Sequence, residues 1–460
     1  MPREQLKNLS CSVLFTVCLL PSIATAEDTI KIHVNRVLRT VDENPIGINV
    51  NFVKDNDAIR PEGSRPLVDA LQALGAKWVR YPGGEKSDWH FFAAPPYAAP
   101  APRAIGYYAR HMDKPLDFDQ YVAVVRKLGG TCYVVTSYDN VKRTGVREGE
   151  YLEHAVAWVR YANVTREYGV RYWEVGNENW HNQTATADEM GRVVATFSRA
   201  MKQVDAKIKI GCSGNSVDWF KRVLEVAGDD IDFLSVSNYF SASSYGTYST
   251  RPDRNLLSSS TRSALTALAG SEHKDHIELL VAEFGAVDFG RPRKWQANDL
   301  GHAIVNFDMA GQILCNPRIK SAMFWTTRWM DDMNPVRRSY ALGTYNQIMP
   351  VGRPLAIWGR FLKRNIVATT SPGDIPSFAC YDPASKGLTV FLVNKCNEPK
   401  DVKLALPAES IYAARHRYEF SGSSPADMNP QWRDLGSTQD IDRGVTLRAT
   451  SITVLDYSSD

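Results

Sequence analysis

The chain has 460 residues, 54 Lys and Arg against 51 Asp and Glu, and 44% hydrophobic residues. That length exceeds one small core, so a large domain with an accessory domain is expected. A formal net charge of +3 gives no electrostatic footprint for nucleic acid, and the composition is that of a soluble globular protein.

The N-terminus has the pattern of a secretion signal. Arg3 and Lys7 form a basic start, Cys11–Leu20 is a short apolar run, and Ala24-Thr25-Ala26 is a small-residue cleavage site. Residues 1–26 are therefore expected to be a signal peptide and the protein to be secreted or periplasmic. The run is too short to span a bilayer stably, so no membrane anchor is expected. Losing Arg3, Lys7 and Glu4 leaves a net charge of about +2. Five cysteines remain (Cys132, Cys212, Cys315, Cys380, Cys396), odd in number, far apart and without C-x-x-C spacing. If the strands flanking “DPASKG” pair, Cys380 lies opposite Leu388 to Val390, and Cys396 falls roughly 20 Å away, beyond the reach of a disulfide.

Asp28–Asn35 reads as a strand. Eight short apolar runs follow: Pro45–Phe52, Ala76–Gly84, Thr131–Tyr138, Tyr172–Glu178, Lys207–Gly214, Asp232–Tyr239, Glu278–Gly285 and Lys320–Trp329. Helical periodicity lies between them, most clearly at Tyr151–Tyr168, Thr186–Gln203, Asp299–Leu314 and Pro354–Arg364. Strands alternating with helices predict an α/β fold, a (β/α)8 TIM barrel over 41–366. A doubly wound open sheet would carry a Gly-rich phosphate loop after its first strand, and “INVNFVKDND” has none. Beyond Arg364, short alternating strands such as “LTVFLVN” and “SITVLDY” predict a β-sandwich over 367–460. The strand within 27–40 is expected to cross over and join it.

Catalytic groups of such barrels sit at the C-terminal ends of the strands. Two expected strands, the fourth and the seventh, end in a glutamate followed at once by loop: “YWEVGNENW” at Glu178 and “LLVAEFG” at Glu283. These strands face each other nearly across the mouth. Two opposed carboxylates are what glycoside hydrolysis needs, one to protonate the leaving oxygen and one to attack or to activate water. Glu174 shares a face with Glu178 but lies deeper, and is expected to be buried and paired.

“YWEVGNEN”, “LLVAEFG” and “VRYPGG” (Val79–Gly84) resemble the retaining glycosidases of clan A. The stretch “AWVRYANVTREYGVRYWEVGNE” looks most like the α-L-arabinofuranosidases of glycoside hydrolase family 51, related to families 39, 79 and 86. The resemblance covers the chain after the signal. It implies Glu178 as acid/base and Glu283 as nucleophile. Asn177 would bond the hydroxyl beside the anomeric carbon, Arg80 would pair with the nucleophile, Tyr239 would donate to it, and Trp325 would floor the sugar subsite. Trp89, Tyr138 and Trp180 complete the expected substrate-binding set. Two positions depart from the pattern. Strand six of relatives often reads S-x-H-x-Y, whereas “SVSNY” puts Ser237 at the histidine position, and strand seven reads “AEFG” rather than “DEW”.

No H-E-x-x-H or similar histidine pair is present, and “GCSGN” is not a nucleophile elbow, so neither a metal nor a cofactor is expected. The implied function is a secreted retaining O-glycoside hydrolase, arabinofuranosidase-like, acting on a plant or algal polysaccharide. An endo-acting β-glycanase or agarase is the alternative on the same scaffold. A non-catalytic carbohydrate-binding barrel is the alternative of another class. The long loop Glu85–Pro115, with Trp89 and Tyr107, would separate exo from endo action. Arg80, Lys86, Arg103, Arg110 and Arg328 would suit an acidic or sulfated substrate.

Overall fold

The computed structural model describes residues 28–139, 144–251, 255–290, 292–330, 340–406, 416–437 and 444–457. The expected signal peptide lies outside them. In chain order the strands begin with β1 (Asp28–Thr40), β2 (Ile46–Asn49), β3 (Trp78–Tyr81), β4 (His90–Ala93), β5 (Pro100–Ala104), β6 (Thr131–Thr136), β7 (Tyr172–Val175), β8 (Lys209–Ser213), β9 (Phe233–Ser241), β10 (Glu278–Val287) and β11 (Ile319–Phe324). There follow β12 (Asn365–Thr370), β13 (Ser377–Asp382), β14 (Gly387–Asn394), β15 (Lys400–Ala405), β16 (His416–Ser421), β17 (Gln431–Asp434), β18 (Val445–Leu447) and β19 (Ser451–Tyr457).

β2, β3, β6, β7, β8, β9, β10 and β11 pair in that order and close into a parallel barrel. They are the eight apolar runs. Side chains alternate across each strand, so one set faces the barrel axis and the other the helices. On β3, Trp78 and Arg80 point inward while Val79 and Tyr81 join the outer core. Trp78, Tyr133, Tyr172, Phe233, Leu280 and Met323 plug the N-terminal half of the barrel. Above that apolar plug comes a polar layer of Asn49, Arg80, Glu174, Ser235 and Glu283, all buried.

The outer face explains the helices. Trp173 and Val175 of β7 pack outward, and Trp173 meets Trp158 of the helix Glu148–Val159 edge-on at 5.7 Å between ring centroids. Truncating such a fully buried tryptophan costs about 3–5 kcal/mol. Tyr81 stacks on Tyr121 of the helix Phe118–Lys127 at 4.7 Å, and that helix starts with a capping box between Asp117 and Gln120.

Apart from β4 and β5, the remaining strands form one nine-stranded sheet, ordered β17-β16-β19-β14-β13-β12-β1-β15-β18. As expected, the N-terminal strand joins it. Lys31 pairs with Thr370 of β12 in antiparallel register, and Asp28 pairs with Val402 of β15 in parallel. One face closes its own core around Ile30, Val390 and Leu455. The other packs on the barrel, where Phe391 meets Trp358 of the helix Arg353–Phe361 at 4.4 Å. Cys380 lies opposite Thr389, as the turn implies, and all five described cysteines are free.

Three local features differ from expectation. Glu283 is not followed by loop: β10 runs on to Val287, paired with the long β9, and its register shifts between Val281 and Glu283. The helix expected to reach Tyr168 changes at Arg160 to a π-helical turn ending at Thr165. The expected long loop Glu85–Pro115 contains a hairpin, β4 with β5.

Candidate active site

Arg80 is the hub of the polar layer. Its Nη1 donates to Glu283 Oε1 at 2.7 Å and to Asn49 Oδ1 at 3.0 Å. Nε and Nη2 both reach Glu174 Oε2, at 3.1 and 2.8 Å, and Nη2 also donates to Asn177 Oδ1 at 2.8 Å. One guanidinium therefore joins β2, β3, β7 and β10. Burial works against its charge, but Glu174 and Glu283 more than offset that and raise its pKa. Glu174 also accepts from Ser235, which gives it the buried, paired role expected.

Glu283 accepts a second donor. Tyr239 OH reaches its Oε2 at 2.5 Å, so Arg80 and Tyr239 hold one oxygen each. Burial first, then Glu283 and Glu178, push the Tyr239 phenol well above its ordinary pKa, which keeps it a donor. Ser237 lies two residues earlier on the same inward face of β9, and its hydroxyl donates to Glu178 Oε1.

Glu178 stands three residues beyond β7, where the chain turns sharply. Gly176 has φ +71° and Glu178 itself φ +47°. A left-handed glutamate costs of order 1 kcal/mol or more, and local bonds hold it there. Its N–H donates to Ser213 Oγ at 3.0 Å, that of Asn177 donates to Asp88 Oδ1 at 3.2 Å, and Asn179 Nδ2 donates to the Tyr138 carbonyl at 2.9 Å. A Cβ on residue 176 would lie 2.1 Å from Asn179 Oδ1, so glycine is required. The three polar residues of “GNENW” thus divide the work: Asn177 meets Arg80, Asn179 pins the loop, and Glu178 faces the opening.

Both glutamates line a cavity of about 820 Å3, with Asn177, Trp180, Ser237, Tyr239, Trp325 and Trp329. Glu178 keeps part of its surface open to this space, yet its carboxyl group is deep among protein atoms. Burial, then the charge of Glu283, pushes its pKa up to about 8; the Ser237 hydrogen bond and Arg80 oppose the shift. Asn177 gives its oxygen to Arg80, and its Nδ2 has no partner among the described residues. That leaves an amide donor for a ligand hydroxyl.

Two expected substrate-binding residues stand elsewhere. Trp89 packs over Gly106 and does not line the cavity. Tyr138 is in the outer core, edge-on to Tyr151 and Phe197, because its ring turns toward the helices. Of the loop Glu85–Pro115, Glu85 lines the cavity and Tyr107 does not. Arg328 is buried in an ion pair with Asp55, and Arg103 and Arg110 stack on Phe91 and Tyr107. These three arginines are therefore not presented to the cavity.

Two residues stand closer to the chemistry than the sequence indicates. Ser237 occupies a histidine position but bonds the other glutamate. Lys86 is buried, its Nζ 4.9 Å from the ring of Trp325 and 5.2 Å from that of Trp329. Burial lowers its pKa to about 8, against the pull of Glu283, Asp55 and Glu85. A lysine within a loop gives no periodic signal of burial. Among the described residues, no group of three or more His, Cys, Asp or Glu is placed to hold a metal, and no helix is long and apolar enough to cross a membrane.

The same architecture occurs among solved structures. The family 51 α-L-arabinofuranosidase of Thermotoga petrophila superposes with a TM-score of 0.73, covering 93% of this chain and 99% of its own, at 18% identity. The fold is that of the family 51 α-L-arabinofuranosidases. Curated relatives agree over a shorter span. An intracellular exo-α-(1→5)-L-arabinofuranosidase of Streptomyces lividans is 28% identical over 202 residues, which is 39% of this chain and 30% of the relative. A protein of the same description from Bacillus subtilis is 35% identical over 83 residues, or 16% and 17%. The matched stretch is thus under a third of the length of either relative. No family model matches the chain. The expected secreted or periplasmic location is corrected by these relatives, which are described as intracellular proteins.

Proposed function

We propose that the protein is a retaining O-glycoside hydrolase, with Glu283 as nucleophile and Glu178 as acid/base. The observation that supports this most is the contrast between two glutamates on one cavity. Glu283 is clamped by a cation and a phenol, while Glu178 has a pKa pushed up to about 8 and so holds a proton at neutral pH.

Glu283 attacks the anomeric carbon as Glu178 delivers its proton to the leaving oxygen. Forming the ester removes the negative charge of Glu283. The repulsion that raised the Glu178 pKa is then lifted, so Glu178, having given up its proton, stays ionised and can take one from the incoming water. Water attacks the same carbon, the ester bond breaks, and Glu283 returns as a carboxylate. Asn177 offers its amide to the neighbouring hydroxyl, and Trp325 and Trp180 offer aromatic surface to the sugar C–H groups.

The leading substrate class is α-L-arabinofuranosides, as side groups or termini of a plant or algal polysaccharide. The relatives described as arabinofuranosidases motivate that choice. A panel of 4-nitrophenyl glycosides, with the first-formed anomer followed by NMR, tests the reading. Fastest turnover of the α-L-arabinofuranoside with retained configuration is expected. An inverted product would remove Glu283 from its role, and silence on every glycoside and polysaccharide would remove the hydrolase reading itself.

A further inference from the structure

A second cavity, of about 470 Å3, lies on the outer wall of the barrel. Arg65, two residues before the helix Leu67–Ala73, lies at its edge, the helix Arg353–Phe361 forms one side, and Trp432 of β17 closes it. It shares no lining residue with the catalytic cavity. Its charged members are Arg65, Arg353 and Arg360, and no carboxylate lines it.

The three arginines are not equivalent. Arg360 is occupied: it donates to Tyr418 OH at 3.2 Å and lies over the Phe361 and Tyr418 rings. The guanidinium groups of Arg65 and Arg353 have no hydrogen bond or ion pair with a described residue. Arg353 is half-buried, and both its burial and the nearby charge of Arg65 push its pKa below the ordinary arginine value. No acidic group pulls it back. Among the described residues neither has a counter-charge; Arg65 is exposed and Arg353 partly out of water, so their mutual repulsion and the burial of Arg353 would both be relieved by an anion between them.

The size and walls narrow the choice of anion. A lone phosphate or sulfate would leave most of the space empty, and the volume falls in the range of small-molecule sites. Phe361 and Trp432 supply aromatic surface, which packs on sugar C–H faces. Guanidinium forks match the planar or tetrahedral oxygens of a carboxylate or sulfate ester. We propose that this groove is an accessory binding site for an acidic saccharide, with Arg65 and Arg353 on its anionic group and its ring against Trp432. The saccharide part rests on the glycosidase reading; the anion part does not.

Calorimetric titration of the full chain tests it with three tetrasaccharides of one backbone: neutral, sulfated and uronic. The acidic forms should bind and the neutral form should not bind there, the stronger of the two identifying the anionic group. R65Q/R353Q should weaken acidic binding about tenfold or more, from the loss of charge-assisted hydrogen bonds. Its melting temperature and its turnover of a neutral aryl glycoside should match the parent. W432A should weaken saccharide binding without changing the affinity for inorganic sulfate. Equal acidic binding by parent and double variant would overturn the proposal, as would equal affinity for inorganic sulfate and the sulfated tetrasaccharide. Acidic binding in a protein that turns over no glycoside would sink the hydrolase reading and leave the anion site standing.

Discussion

The Ser237 hydroxyl donates to Glu178 from the strand whose next inward residue, Tyr239, donates to Glu283. One strand therefore sets both carboxylates. The bond from Ser237 favours the charged form of Glu178, against burial and against the charges of Glu283 on β10 and Glu174 on β7; Arg80 on β3 acts with Ser237. Ser237→Ala should raise the Glu178 pKa further. The alkaline limb of kcat/KM should move to higher pH by about one unit, the worth of one hydrogen bond to a charged group. A pH profile on an aryl glycoside measures this, and a limb that stays put or moves down would remove the tuning role from Ser237.

Glu178 also links activity to stability. Its pKa is raised to about 8 in the native protein from 4.5 in an exposed chain. Between those values the unfolded chain has lost the proton and the native protein has kept it, so the native state binds more protons. Stability is then fully present below about 4.5 and falls as pH rises toward 8. Glu178→Gln mimics the protonated form and removes that loss. Its melting temperature should exceed that of the parent by a margin that widens from pH 5 to about pH 8. A constant difference across that range would contradict the shift.

The parts of this arrangement that follow a period were legible in the sequence. Eight apolar runs with intervening helical stretches specify the barrel, since each strand must be buried on both faces. Short strands were not: “QWRD” and “VTL” are too brief for alternation to stand out, and β17 and β18 went unrecognised. Trp89 illustrates a different failure. Its place in an aromatic-rich loop marks it for substrate equally well as for packing, and contact with Gly106 decides for packing. Glu283 was visible as a glutamate near a strand end, but the continued pairing of β10 with β9 was not, because “FGAV” reads as loop as readily as strand. Ser237 depends on which glutamate a neighbouring strand reaches, which is a matter of three-dimensional register.

Arg80→Lys tests the hub. Lysine keeps the charge but cannot span Glu174, Glu283, Asn49 and Asn177 with a fixed fork. Loss of charge-assisted bonds worth about 1.5–3 kcal/mol should lower kcat roughly tenfold to a hundredfold, with urea stability also reduced. Arg80→Met should be worse for folding, by about 3–5 kcal/mol, because two buried carboxylates lose their cation. Equal kcat in Arg80→Lys and parent would show that the fork is dispensable.

The aromatic residues should separate by position. Trp180 lines the cavity, so Trp180→Ala should raise KM several-fold with a smaller change in kcat, as expected for contacts made equally before and during reaction. Trp89→Ala should leave KM within about twofold and act on stability, since the ring packs on Gly106. Steady-state kinetics with thermal melts of both variants measure this. A large KM effect from Trp89→Ala alone would mean that the substrate extends over the β4–β5 hairpin.

The two glutamates should fail in different ways. Glu283→Ala removes the attacking group and should abolish turnover of every substrate. Glu178→Ala removes the proton donor, which matters least when the leaving group needs no proton. It should therefore form the glycosyl-enzyme readily from a dinitrophenyl glycoside and slowly from an alkyl glycoside. The second step then stalls, because water lacks its base. Azide needs none. Added to Glu178→Ala, it should restore turnover and yield a glycosyl azide of the substrate's own anomeric configuration, the product of two inversions at one carbon. The inverted azide from Glu283→Ala, formed by a single displacement, would complete the assignment. The opposite pattern would exchange the roles of the two residues.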